Sequence, residues 1–332
     1  MNLKHPKRHH FVPKVYLKAW ADQNNMVGLR RRQGTRHSLT NIGNVALVKG
    51  FHGSGQEASD REAFFNEMEG RWPSLRAWLL IGKLSSSTER REVARFLAYQ
   101  RLRTREERTR AEFHETALKF LSERPITAEA MQIFLVEQWG LKDPSPAEVQ
   151  GACDYLEIFR YSLEEEGQNL KIDSISMPGH ADTYINIIDS YSWRVERMPS
   201  LSLFTSDSPV VYWRPRTPQD HIEGIGLDNA REIWFPIDPQ HLLVLTKTSG
   251  KSGIWSVSKQ RLQLINLEIA ARSFEAVIAS TACGAELDSL FFRANKPALR
   301  FNIGPRIGVA ADGTEHPMGE ILHTWVPAYD DV

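Results

Sequence analysis

The stretch "EIWFPIDPQHLLVLTK", residues 232–247, decides the fold class. It contains two short runs of aliphatic, β-branched and aromatic residues, separated by Asp238-Pro239-Gln240. Runs of this length and composition, bounded by proline and aspartate, are typical of β-strands. The segments "YSWRVERM" (191–198) and "SLFTSDSPVVYW" (202–213) have the same character. We therefore predict that these segments are strands of one mostly antiparallel sheet.

Helical patterns dominate the chain before these strands. Apolar residues recur at helical spacing after Ser59-Asp60, and Pro73 splits or kinks that helix. Another helix begins at Thr88, and further helices are expected around 127–138 and 147–165. After the strands, "KQRLQLINLEIAARSFEAVIAS" (259–280) returns to a helical period, with an apolar side formed by Leu262, Ile265, Ile269 and Ala276.

The two ends of the chain have weaker patterns. "MVGLRRRQGTRHSLT" (26–40) predicts a hairpin around Gln33-Gly34, and the C-terminal region is rich in loop residues. The fold class is α+β: a helical bundle packed on a mostly antiparallel sheet, with an N-terminal hairpin that could join that sheet. We expect one intertwined domain over 1–332, in which 56–170 is mainly helical and 171–332 is mainly sheet plus a closing helix.

Composition excludes few functions. The 332 residues carry 41 basic and 41 acidic side chains, so a nucleic-acid or membrane partner would need a local charged patch. Cys153 and Cys283 are the two cysteines, which rules out a metal-type cysteine spacing or a disulfide framework. No apolar run is long enough to span a bilayer, and no secretory signal is recognisable. We expect a cytoplasmic protein without a membrane partner, and the sequence carries no signal for its oligomeric state.

The first candidate site is "KRHHFVPKVYLKAW", residues 7–20, which contains His9 and His10 ahead of Pro13. His-His-x-x-Pro opens the metal-binding finger of many HNH-type nucleases, where one histidine activates water and a neighbouring residue binds Mg²⁺ or Zn²⁺. The second half of that pattern is not met, because Asn44 is distant and His52 lies in the helix-breaking "FHGSG". The alternative is that the histidines buttress the adjacent helix or are solvated.

The second candidate is "LFTSDSPVV", residues 203–211. Asp207 ahead of Ser208-Pro209 is favourable turn chemistry, because its carboxylate can accept backbone N–H groups. Alternatively, a strand end presents Asp207 together with Thr205 and Ser206 to a cleft, where the carboxylate could bind a divalent metal or act as a general base.

Other polar residues are weaker candidates. In "YQRLRTREER" (99–108), Gln100 and Arg103 share a helical face, and an arginine there can bind phosphate. We expect the remaining charges of that segment to form a solvated, salt-bridged face. Glu69 is expected to be exposed, with an inward orientation as the alternative. Asn266 lies in an apolar helical face, where it either bonds backbone groups or completes a polar site.

The two motifs together resemble a known bacterial family, domain of unknown function 4238. "HHFVPKVYLKAW" resembles its His-His-[aromatic]-x-Pro-x-x-[aromatic]-Leu signature, and "LFTSDSPVV" resembles Phe-Ile-Thr-Ser-Asp-Asn-Pro-Val, with Ser208 in place of the usual Asn. The similarity runs over about residues 5–280 and includes, in order, "NIGNVALVKGFH", "YQRLRT", "FPIDPQHLLVL" and "INLEIAARSFEAVIAS".

The resemblance implies no established activity, but it suggests that the polar signature residues converge on one cleft between bundle and sheet. We hypothesise a metal-dependent phosphoesterase or nuclease, acting in phage defence or as a toxin. Its catalytic residues would be His9, His10 and Asp207, with a divalent metal as cofactor. Its nucleic-acid or nucleotide ligand would be bound by Gln100, Arg103, Thr205, Ser206 and Asn266. The alternative is a non-catalytic binding module for a nucleotide or a protein partner.

Overall fold

The computed structural model describes residues 8–49, 55–82, 84, 88–109, 119, 124–138, 141–166, 181–215, 225–227, 229–250, 252–290, 298–309 and 315–326. The helices are α1 (Lys14–Leu17), α2 (Gly55–Gly70), α3 (Trp72–Leu80), α4 (Thr88–Leu102), α5 (Ala128–Glu137), α6 (Pro146–Glu166), α7 (Asp182–Ser190), α8 (Lys259–Arg272) and α9 (Gly284–Asp288). The strands are β1 (Arg8–His10), β2 (Met26–Arg31), β3 (Ser38–Asn41), β4 (Leu47–Lys49), β5 (Ser192–Arg197), β6 (Thr205–Ser206), β7 (Val211–Trp213), β8 (Glu232–Asp238), β9 (His241–Thr246), β10 (Ile254–Ser256), β11 (Ala276–Ala279), β12 (Ala298–Val309) and β13 (Glu315–Val326).

The stretch 232–247 forms the β8–β9 hairpin at the centre of a five-stranded sheet. The sheet order is β10-β5-β9-β8-β7, and all neighbours are antiparallel except β10 and β5. Asp238 fixes the hairpin turn, because its Oδ1 accepts the backbone N–H groups of Gln240 and His241 at 2.8 and 2.9 Å. The strands predicted from this stretch are therefore confirmed.

The predicted N-terminal hairpin is also confirmed, but it belongs to a different sheet. Strands β2 and β3 pair antiparallel, and the sheet order is β3-β2-β11-β6. The expectation of one sheet is wrong, because β6 pairs with β11 and not with the five-stranded sheet. The α+β class with mostly antiparallel strands is confirmed.

The closing helix is shorter than predicted. Helix α8 ends at Arg272, and Ala276, placed on its apolar side by the sequence pattern, instead begins strand β11. The physical reason is a distant side chain: Arg32 donates hydrogen bonds to the carbonyls of Ala270, Ala271 and Ser273, which ends the helix there.

Three further boundaries differ from the predictions. The C-terminal region is not loop-rich, because β12 and β13 pair antiparallel over twelve residues each. Helix α2 begins at Gly55 rather than near Ser59, and α7 had no counterpart in the sequence prediction. The breaks at Pro73 and Thr88 and the helices α5 and α6 are confirmed.

The two faces of the central hairpin serve different cores, as the strand period of two requires. Ile233, Phe235 and Ile237 pack into a large cluster with the helices α1 to α4 and α7. Trp234 faces the opposite way, into a second cluster with α8. In the first cluster, Trp72 of α3 stacks on Phe96 of α4 with ring centroids 4.4 Å apart. This arrangement is the helical bundle on a sheet that the sequence predicted.

A third cluster lies between α5 and α6 and includes Met131 and Phe134. Thr127 begins α5, because its hydroxyl accepts the N–H of Ala130. None of the described helices combines the length and apolar character needed to cross a membrane. The single intertwined domain over 1–332 and the cytoplasmic location remain predictions.

Candidate functional site

The two signature segments are joined by buried hydrogen bonds. The Tyr16 hydroxyl donates to the carbonyl of Pro236 at 2.9 Å and lies 2.7 Å from the Thr205 hydroxyl. Trp20 Nε1 donates to the carbonyl of Leu203 at 2.9 Å. Tyr16 and Thr205 are both fully buried. The Thr205 hydroxyl, predicted to bind substrate, is therefore used within the core.

His10 is a half-buried residue of β1. Its Nδ1 lies 3.0 Å from the Val45 carbonyl oxygen, which can only accept, so Nδ1 carries the proton and Nε2 the lone pair. Burial lowers the pKa of His10; the charges of Lys14 and Arg103 act in the same direction, and Glu69 opposes them. The ring is therefore neutral at pH 7 and able to accept a proton.

His9 faces the other side of β1 and is 4% exposed, opposite Val48 of β4. Within the described ranges, no group of three or more histidine, cysteine, aspartate or glutamate side chains could hold a metal ion. The described residues thus do not fit the divalent metal expected from the sequence. His52, the second histidine of the HNH comparison, lies outside the described residues.

Gln100 and Arg103 form a buried chain of hydrogen bonds, which we name the relay, between the Phe11 carbonyl and Glu69. Gln100 Nε2 donates to the Phe11 carbonyl at 3.0 Å, and its Oε1 accepts from Arg103 Nη2 at 3.1 Å. Arg103 Nη1 donates to Glu69 Oε1 at 2.7 Å, and the guanidinium lies over the Phe65 ring. Gln100 and Arg103 are 1% and 2% exposed, so they position neighbouring groups rather than contact a ligand.

Three charges next to the relay, Arg101, Glu106 and Glu107, are salt-bridged as expected for this segment, but they are buried and not solvated. Arg101 is buried and pairs with Glu106 and Glu107, each at 2.7 Å. Its guanidinium also lies over the Tyr212 ring, 5.3 Å from the centroid. These residues therefore attach the end of α4 to strand β7.

A groove of about 470 Å³ opens between α1, the β2–β3 hairpin and the end of α2. Its polar lining residues, which define what we name the basic groove, are Lys14, Lys18, Asn25, Asn41 and Glu69. Lys14 and Lys18 are four residues apart and lie on one side of the α1 turn, both exposed. His10 is not part of this lining, but Lys14 and Glu69 of the lining act on the pKa of His10 in opposite directions.

Asp207 is buried and holds the junction between α8 and β11. Its Oδ1 accepts the N–H of Phe274 at 2.8 Å, and its Oδ2 accepts the N–H of Glu275 at 2.6 Å. Burial raises the pKa of Asp207 to about 7, against these two hydrogen bonds and the charge of Arg32. Both carboxylate oxygens therefore already have backbone partners, but these lie 67 and 68 positions later in the chain and not in the local turn that the sequence favoured.

A small polar cleft of about 70 Å³ lies beside Asp207. It also contains Phe11, Val45, Arg105 and Glu275, so residues in or next to four other segments of the family resemblance meet there. Its lining and that of the basic groove have no residue in common. The structure thus brings the two segments together, but Asp207 lines the polar cleft and His10 belongs to neither lining.

The remaining predicted residues also have internal partners. The Ser206 hydroxyl accepts the N–H of Ser208 at 3.1 Å. Asn266 accepts the N–H of Phe204 at 2.9 Å and donates to the Ser202 carbonyl at 2.7 Å. Asn266 therefore attaches α8 to the chain entering β6 by bonding backbone groups, which is one of the two roles expected for it.

Sequence reasoning missed the basic groove. Lys14 and Lys18 were not among the candidate residues, and Asn25 and Asn41 lie directly before and after the predicted 26–40 hairpin. The i, i+4 spacing of the two lysines was the one local signal available. Glu69 was expected to be exposed, but only 20% of its side chain is accessible.

Comparison with known proteins gives the family and no activity. No curated protein and no solved structure matches the chain. The family model described as "Protein of unknown function (DUF4238)" matches residues 8–282. This range is well over half of the chain and includes both signature segments, so the chain belongs to the DUF4238 family.

Proposed function

We propose that the chain binds a phosphate-bearing ligand of nucleotide size in the basic groove. The observation that carries the proposal is the pair of exposed lysines, Lys14 and Lys18, which form no ion pair with a carboxylate of the described residues. Lysine ammonium groups are common phosphate ligands. A volume of about 470 Å³ lies within the range of small-molecule sites.

The charge balance of the groove supports an anionic ligand. Glu69 is the acidic residue of its lining, and Arg103 offsets that charge through their ion pair. The two lysines are therefore uncompensated, and an arriving phosphate lowers the energy of both. Because the net charge of the chain is zero, a nucleic-acid partner would need a local basic patch, and the two lysines are a candidate for it.

This proposal develops the binding-module hypothesis and the nucleotide partner expected from the sequence. It gives no role to a metal, because the described residues form no ligand cluster for one. It also gives no catalytic role to Asp207, because both of its oxygens accept backbone N–H groups. Gln100 and Arg103 support the groove from behind.

The test is calorimetric titration of the full chain with AMP, ATP and short single-stranded RNA and DNA at low salt. We expect at least one to bind, and Lys14→Glu/Lys18→Glu to weaken that binding by at least about tenfold, because two attractive charges become repulsive. The matched control is Lys259→Glu, at an exposed lysine that begins α8 far along the chain. Absence of binding by every one of these phosphate compounds would overturn the proposal.

His10 favours a second candidate function, metal-independent hydrolysis of the bound phosphoester. The proton on Nδ1 is fixed by the Val45 carbonyl, and the lowered pKa leaves the ring neutral at pH 7. A neutral imidazole with a free Nε2 lone pair is a general base that can activate water.

The discriminating variant is His10→Asn. The asparagine amide can still donate to the Val45 carbonyl, but it cannot accept a proton at neutral pH. We expect the variant to keep ligand binding and to lose any hydrolysis that wild type shows in EDTA. Equal hydrolysis rates for wild type and His10→Asn would exclude His10 as the base.

A further inference from the structure

Glu69 is a fixed carboxylate in the lining of the basic groove. Its Oε1 accepts from Arg103 Nη1 at 2.7 Å, and Arg103 is held in turn by Gln100 and by the Phe65 ring. Within the described residues, the Glu69 Oε2 has no hydrogen-bond partner. Gly70, the next residue of the lining, leaves space beside Glu69, because no atom lies within 4 Å of the position that a Cβ would take there.

A carboxylate in a phosphate site needs a separate explanation. The free Oε2 accepts hydrogen bonds and repels anions, so it cannot contact the phosphate itself. The part of a phosphate-bearing ligand that can donate to it is a hydroxyl group. A positioned carboxylate that accepts ribose hydroxyls is an established way for proteins to hold the sugar of a nucleotide.

We infer that the basic groove selects a ribose phosphate, whose phosphate contacts Lys14 and Lys18 and whose sugar hydroxyl donates to Oε2 of Glu69. This inference rests on the proposed function, since it assigns the ligand class of the same groove. The rigid support of Glu69 favours the assignment, because a carboxylate already held by Arg103 loses little side-chain freedom when the hydroxyl binds.

The ion pair between Arg103 and Glu69 explains how a carboxylate and two lysines can line the same groove. Arg103 is 2% exposed and makes its charge-assisted hydrogen bond to Glu69 from the protein side. Its charge offsets that of the carboxylate, so a phosphate at the lysines meets little net repulsion from Glu69. The lining thus offers both cationic donors and a carboxylate acceptor, which matches a phosphate joined to a hydroxylated sugar.

The experiment compares AMP, 2′-deoxy-AMP, 3′-deoxy-AMP and ribose 5-phosphate by calorimetry at one ionic strength. We expect AMP and ribose 5-phosphate to bind, and at least one deoxy analogue to bind at least about fivefold more weakly than AMP, because a hydrogen bond to a charged group is lost. In Glu69→Gln the side-chain oxygen still accepts from Arg103, but an amide donor faces the groove. We expect this variant to lose the preference for AMP.

The matched control is Glu67→Gln, at an exposed position of the same helix outside the groove lining, which should retain the preference. Equal affinity of AMP and both deoxy analogues for wild type would overturn the inference and leave the proposed function intact. Failure of every phosphate compound to bind would instead overturn the proposed function and, with it, the inference. The wild-type comparison needs no variant, so a folding defect of Glu69→Gln cannot mask the result.

Discussion

The hydroxyl groups of Tyr16 and Thr205, 189 positions apart in the chain, lie 2.7 Å from each other in the core. Tyr16 donates its single proton to the Pro236 carbonyl, so Thr205 must be the donor to Tyr16. Three segments, α1, β6 and β8, therefore meet at one hydroxyl. The two segments on which the family resemblance rests are joined through this tyrosine, and not through the histidines that first drew attention.

Replacing Tyr16 tests that coupling. Tyr16→Phe should lower the free energy of unfolding by about 1–3 kcal/mol, because the buried Thr205 hydroxyl and Pro236 carbonyl lose their partner. Thr205→Val should cost a similar amount, and the double variant should cost less than the sum of the two. Urea unfolding of the four proteins measures the cycle. Additive effects would show that the two hydroxyl groups are not coupled.

Asp207 predicts a pH dependence of stability. Its folded pKa of about 7 lies above the ordinary value of 3.8, so the folded state binds this proton more tightly than the unfolded state. The resulting stabilisation is complete below the unfolded pKa and is lost as pH rises through about 7. Wild type should therefore lose stability relative to Asp207→Asn between pH 4 and pH 7, because asparagine does not titrate.

Urea midpoints of both proteins, measured at several pH values in one buffer series, provide the comparison. Titration of all other groups is common to the two proteins and cancels in the difference. Asp207→Asn should be the less stable protein at pH 4, because the hydroxyl oxygen of the protonated Asp207 carboxyl can still accept an N–H of Phe274 or Glu275, whereas the amide nitrogen of asparagine can only donate. A difference that stays constant or changes in the opposite sense would contradict the raised pKa.

Burial is the main cause of the lowered pKa of His10, and two residues of the groove should shift this pKa further. Lys14 lowers the pKa of His10 and Glu69 raises it. Lys14→Ala should therefore raise the histidine pKa, and Glu69→Gln should lower it further. Titration of the His10 ring by NMR reads both shifts without any ligand, and Lys259→Ala serves as the control at a remote exposed lysine. If the pKa of His10 is unchanged in both variants, the charges of the groove residues do not act on His10.

The sequence predicted local structure well where neighbouring residues alone determine it. The aliphatic and aromatic run that includes Ile233, Trp234 and Phe235 predicted a strand, and the structure shows that the two faces of this strand pack into two different cores. The end of α8 could not be predicted from the local sequence, because it depends on Arg32, more than 230 positions earlier in the chain. Sheet membership of β6 depends likewise on its pairing with β11, which no local pattern encodes.

The same distinction applies to the candidate site. His9, His10 and Asp207 stand out as local motifs, yet their surroundings decide what they do. Asp207 meets the backbone of Phe274 and Glu275 only after α8 and β11 have folded against it. The basic groove needs the end of α2 beside α1 and the β2–β3 hairpin, so its lysines become a site only in the tertiary structure.

Ala46 offers a last test, at the loop that holds His10. Its φ of 51° lies in the left-handed region, which costs a residue with a Cβ about 1 kcal/mol. Two hydrogen bonds hold the backbone in this conformation. The Ala46 carbonyl accepts the N–H of Phe11 at 3.0 Å, and the adjacent Val45 carbonyl accepts from His10. Ala46→Gly should therefore raise the free energy of unfolding or leave it unchanged, whereas Ala63→Gly, at an exposed interior position of α2, should lower it by about 1 kcal/mol. Urea unfolding distinguishes the two, and an equal loss in both variants would show that Ala46 carries no backbone strain.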